Sequence, residues 1–102
     1  MSKSQSTNHQ EQKENFYQRL RDELTKTTTW PNKYMYKFII PNDETKAVQV
    51  KTRFKGQDIN YKENFSRTGK YLSISIIAIE KSPESIINRY KSMEDIEGLM
   101  SL

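Results

Sequence analysis

The sequence predicts an α+β fold in which a four-stranded antiparallel sheet carries two helices on one face, preceded by an extra N-terminal helix. Three observations predict it. Apolar residues recur at helical spacing in three segments, they alternate or run together in three others, and Gly or Pro punctuates the joins between them. A chain of 102 residues is the size of one domain, and with 33% hydrophobic and 29% charged residues its apolar side chains must be concentrated in a few elements.

Residues 1–15 hold almost no apolar side chain, so burial cannot offset the entropy of ordering them, and a flexible polar leader is expected. Residues 16–33 are expected to form an N-terminal helix and linker. Phe16, Tyr17, Leu20 and Leu24 lie on one helical side, and the β-branched run Thr27-Thr28-Thr29 before Pro31 ends the helix near Thr25 or Lys26. The domain proper is expected over residues 34–102.

Tyr34 to Ile40 has the aromatic and β-branched content of a strand, with Tyr36, Phe38 and Ile40 facing the core and Lys37 facing away. Pro41-Asn42-Asp43-Glu44 supplies a break, a cap and early acids for a helix whose Ala47, Val50 and Phe54 point inward; Gly56 is its stop. Ile59, Tyr61 and Phe65 alternate with polar residues, which predicts a strand with one wet face. Ser66 to Gly69 has turn chemistry, so a hairpin follows. Leu72, Ile74, Ile76 and Ala78 form the apolar side of the next strand, with Tyr71, Ser73 and Ser75 on the other. Ile77 and Ile79 share that second side, where they would meet either a partner or the N-terminal helix. Ser82-Pro83-Glu84 reads as a helix start, Ile86, Ile87, Tyr90 and Met93 as its buried side, and Leu99 to Leu102 as a terminal strand. The resulting order, helix then βαββαβ, is the ferredoxin-like split βαβ arrangement.

The composition also bears on function. There is no cysteine, hence no disulfide framework, thiolate nucleophile or cysteine zinc site, and the longest apolar run, Ile74 to Ile79, is far short of the ~20 residues of a membrane helix. With no secretion signal evident, the cytoplasm is the expected location. The only histidine, His9, falls in the leader, and the carboxylates Asp43/Glu44 and Glu94/Asp95/Glu97 suit capping and solvation, so no catalytic residue is assigned. No ligand spacing predicts a metal, and no cofactor is expected. Net charge is only +4, yet Lys46 to Lys70 holds seven basic residues against two acids. Lys46, Lys51, Arg53, Lys55 and Lys62 are thus a candidate basic patch for an anion or RNA, the second functional reading. The Gly-aromatic core of an RNA-recognition strand is not present, which places nucleic acid behind other partners. The stretch SRTGKYLSIS is not a phosphate loop, because Gly69-Lys70 leads into a strand rather than a helix. Ser66, Arg67, Gly69, Lys70, Tyr71, Ser73 and Ser75 are either a structural turn with a polar strand face or a surface for a ligand or partner.

The segment Tyr34 to Ile40, the hairpin residues Ser66, Gly69, Tyr71, Ser73 and Ile76, and the ending Tyr90 to Leu99 resemble the YbeD-like family of small uncharacterised bacterial proteins, over about residues 30 to 102. The resemblance implies a βαββαβ domain similar to the ACT domains that regulate amino-acid-metabolising enzymes, and brings no reaction with it. ACT domains bind small effectors where domains pair, which implies a non-enzymatic regulatory or adaptor module, with an unidentified protein partner or small effector and the option of a homodimer.

Overall fold

A computed structural model describes residues 9–102. The elements are α1 (His9–Thr27), β1 (Asn32–Pro41), α2 (Glu44–Thr52), β2 (Ile59–Phe65), β3 (Tyr71–Glu80), α3 (Pro83–Ser92) and β4 (Met100–Ser101). The four strands form one antiparallel sheet in the order β2-β3-β1-β4, an order compatible with the split βαβ arrangement.

Local chemistry sets the element ends. Asp43, in extended conformation, caps α2 by accepting the Thr45 amide at 2.9 Å. Ser82 caps α3 in a reciprocal box with Ser85, and Pro83 follows at the first helical position, where its missing N–H costs nothing. Strand alternation then decides what is buried. Tyr36, Phe38 and Ile40 of β1 and Ile74 and Ile76 of β3 are wholly buried beneath α2 and α3, which add Val50, Ile86 and Ile87, with Phe54 from the turn after α2. Each such side chain contributes about 1.5–3 kcal/mol by leaving water.

Two expectations are corrected and one open alternative is decided. The leader expected over residues 1–15 is helical from His9 onward, and residues 1–8 lie outside the described residues. Its polar side chains find partners beyond their own helix: Lys13 reaches Glu94 at 3.7 Å and Glu14 meets Lys91 at 3.5 Å. Secondly, α1 packs on α3, within the helical layer, and does not cover Ile77 or Ile79 on the opposite side of the sheet. Tyr17 is buried there, with its hydroxyl donating to Glu94, and Arg21 pairs with Glu84 at 2.7 Å. Thirdly, Tyr61 and Phe65 of β2 are exposed although they point toward the helical side, because β2 is an edge strand that α2 meets through the long side chain of Lys51 rather than by covering it.

Candidate functional site

The sheet has one face covered by helices and one face bare among the described residues. Reading the register across the bare face gives successive rows of side chains: Asn64, Ser73, Ile39 and Met100; then Lys62, Ser75 and Lys37; then Asn60, Ile77 and Met35. The first row, with Phe65, Ser66 and Tyr71, lines a groove of about 330 Å³ whose walls are mainly apolar. A second depression of about 260 Å³ lies over Met35, Lys62, Ser75 and Ile77. Met35 and Met100 expose more than half of their surface here, and Tyr71 nearly half.

The β2–β3 hairpin ends the groove, and its turn is closed from within. Ser66 donates its amide to the Tyr71 carbonyl at 2.8 Å, and its Oγ accepts the Tyr71 amide at 3.0 Å. Gly69 has φ of 77°, a left-handed conformation that favours glycine, and its amide donates to the Ser66 carbonyl at 2.9 Å. Asn42, just before α2, clamps the turn by donating its side-chain amide to the Gly69 carbonyl and its backbone amide to the Lys70 carbonyl, at 2.8 and 2.9 Å. The hairpin residues therefore divide by role. Ser66, Tyr71 and Ser73 meet in the groove, and Ser75 lies one row away. Arg67 and Lys70 are exposed in the turn and line neither depression.

The expected basic patch is dispersed. Lys46 donates to the Glu97 carbonyl at 2.8 Å, and Arg53 pairs with Asp95 at 2.7 Å while donating to the Ser92 carbonyl. Lys51 pairs with Glu63 at 2.8 Å and sits 4.3 Å from the Tyr61 ring centre; the Glu63 carboxylate raises its pKa. Lys55 stands on the α2 side, whereas Lys62 belongs to the bare face.

Three of the carboxylates singled out above are likewise occupied: Asp43 by Thr45, Glu94 by Tyr17 and Lys13, and Asp95 by Arg53. Hydrogen bonds from Thr45 lower the Asp43 pKa below the usual range. Among the described residues, no group of three or more His, Cys, Asp or Glu could hold a metal ion, and no helix is long and apolar enough to cross a membrane.

Sequence reasoning missed two features. The groove residues Ile39, Asn64, Phe65 and Met100 become neighbours only once strand register is known. The other is a buried polar cluster under α3. Glu80, only 2% exposed, accepts the Tyr36 hydroxyl at 2.5 Å and pairs with Arg89 at 3.3 Å. Arg89 also donates to Gln57 and to the Arg53 carbonyl, and its guanidinium lies 4.4 Å from the Phe54 ring centre. Burial first, then the hydrogen bond to Glu80, push the Tyr36 pKa far above its ordinary value. A signal was present: Glu80 continues the inward parity of Leu72, Ile74, Ile76 and Ala78. The cluster joins β1, β3 and α3 and lines neither the groove nor the second depression.

No known protein family, curated protein or solved structure matches the chain.

Proposed function

We propose that this chain is a non-enzymatic regulatory or adaptor module with a ferredoxin-like, ACT-like βαββαβ fold related to the YbeD-like family, working in the cytoplasm. It receives a protein partner or small effector on the bare face of its sheet, beside the Ser66–Tyr71 hairpin. The observation that carries this reading is the apolar groove bounded by Ile39, Phe65, Tyr71 and Met100, with Ser66, Ser73 and Asn64 supplying hydrogen-bonding groups. Strand order supports the fold assignment. The alternative, an anion or RNA bound by the 46–70 region, draws less support, because Lys46, Lys51 and Arg53 are already engaged.

The test compares wild-type protein with Ser73→Arg, which fills the groove from the bare side and leaves the core untouched. Amide NMR with pooled amino acids and nucleotides, and affinity capture from extract, are read on both proteins. Shifts at Ser66, Tyr71 and Ser73, or a partner lost in the variant, are expected. Identical capture by both proteins with no shift at the groove overturns the reading. Turnover abolished by Asp43→Asn or Glu44→Gln in a folded protein would replace it with an enzyme.

A further inference from the structure

The charges of this protein are sorted by face. Ion pairs among the described residues lie on the helical side of the sheet or in the connections: Lys13–Glu94, Arg21–Glu84, Lys51–Glu63, Arg53–Asp95, Arg89–Glu80 and Lys91–Glu14. By strand parity the bare face holds Lys33, Lys37 and Lys62, all exposed, and no carboxylate at any strand position. None of the three lysines forms an ion pair among the described residues. Lys62 and Lys37 flank Ser75 in one row, two strand spacings or about 10 Å apart. On either side of this cationic row lie rows with an apolar part, Ile39 and Met100 toward the hairpin beside Asn64 and Ser73, and Ile77 and Met35 toward the other end beside Asn60.

From this pattern we infer that the bare face docks an acidic amphipathic helix of a partner protein, completing a helix–sheet–helix sandwich. The inference rests on the functional reading above and names the partner's chemistry. Apolar side chains at i, i+3 and i+4 would fill the rows on either side, and carboxylates between them would meet Lys37 and Lys62. The dimensions agree: ten-residue β1 and β3 are about 33 Å long, and a helix of about 16 residues spans about 24 Å. A second copy seated face to face would set these lysines against their own kind, and like-charge juxtaposition costs several kcal/mol. Single-stranded nucleic acid is drawn to cations but needs stacking surfaces, and Tyr71 is the one aromatic side chain at the bare-face strand positions, Phe65 and Tyr61 bordering the depressions from the other side of the edge strand. Aliphatic and methionine side chains suit a helix better, since methionine adapts to the shape packed on it.

A displayed library of random peptides about 16 residues long is selected against the immobilised protein. The Lys37→Glu/Lys62→Glu double variant serves as counter-target. Both lysines are exposed and unpaired, so the variant keeps its fold, which its circular dichroism checks. Enriched peptides are expected to be acidic with apolar residues at helical spacing. Once synthesised, they should shift the amides of Lys37, Ser75 and Ile77 and bind the double variant at least about tenfold more weakly, with Lys37→Gln/Lys62→Gln in between. Enriched peptides without acidic excess that still shift these amides overturn the acidic-helix assignment and leave the broader reading standing. Absence of enrichment, or peptides that map off the bare face, overturns the acidic-helix inference, while the broader reading stands or falls on the amide shifts at Ser66, Tyr71 and Ser73. An RNA oligonucleotide or a phosphatidylserine vesicle that displaces the selected peptide at lower concentration overturns it in favour of that class.

Discussion

Replacing Arg89 by Met would strip the buried Glu80 carboxylate of its counter-ion while keeping an apolar stem against the Phe54 ring. Glu80 would remain 2% exposed or close to it, held only by the Tyr36 hydroxyl. Breaking a buried pair by removing one partner costs about 3–5 kcal/mol, a large share of the ~5–15 kcal/mol that stabilises a domain. For a urea slope of about 1.5 kcal/mol per M, the unfolding midpoint falls by roughly 2–3 M. The decisive comparison is Glu80→Leu/Arg89→Met, which removes both charges. It leaves the fully buried Tyr36 phenol without its acceptor, at about 1–3 kcal/mol, and should therefore be more stable than Arg89→Met alone. Urea unfolding followed by circular dichroism on the wild type, both single variants and the double closes the cycle. Loss of less than about 1 kcal/mol in Arg89→Met, or a double-variant loss equal to the sum of the singles, would refute the claim that the two charges need each other.

Glycine substitutions should separate backbone strain from crowding. Gly56 (φ 87°) has open space where a Cβ would stand, so Gly56→Ala should cost about 1–2 kcal/mol, whereas at Gly98 (φ 83°) the added carbon would lie 2.9 Å from Pro41 Cγ and the thermal midpoint should fall further. Alkali should destabilise the fold. Tyr36 and Tyr90 have pKa values raised chiefly by burial, so the stability they confer is complete below about pH 10, where unfolded tyrosine ionises, and is lost above it at about 1.4 kcal/mol per pH unit for each. Tyr90→Phe should flatten that slope in urea titrations run at successive pH values. Asp43 titrates the other way: its lowered pKa stabilises the fold above the ordinary aspartate value near 4 and ceases to do so as pH falls through the folded value. Asp43→Asn retains a capping side chain without this titration, so its stability difference from wild type should shrink between about pH 6 and pH 3.

Much of the fold was legible because period and punctuation agree. Tyr36, Phe38 and Ile40 were placed inward by alternation alone, and Ser82-Pro83 marked the start of α3 before any coordinate was needed. Tyr61 and Phe65 show where that logic stops. Alternation assigns a side chain to a face, but only the packing of the layers decides whether anything covers it, and α2 meets β2 through the Lys51 side chain without burying Tyr61 or Phe65. The start of α1 was hidden for a related reason. Its first turns bury little, and their partners, Glu94 and Lys91, lie more than seventy residues away in sequence. At the site, Ser66, Tyr71 and Ser73 were found from local hydroxyl and turn chemistry, while Ile39 and Met100 needed the pairing of β1 with both β3 and β4. Lys37 was read as facing away from the core; that it belongs to a face without carboxylates emerges only when four strands are laid side by side.

The docking of α1 on α3 has a consequence for how the molecule comes apart. Beside the buried Tyr17 and the partly buried Leu20 and Leu24, its attachment consists of exposed or partly exposed ion pairs, each contributing at most about 1 kcal/mol and each weakened by salt. The sheet draws its cohesion from β1 and β3, locked along ten paired residues. One chain thus contains two cooperative units of unequal strength. Amide hydrogen exchange should run along α1 first, faster in high salt, while the amides of Ile74 and Ile76 wait for global unfolding.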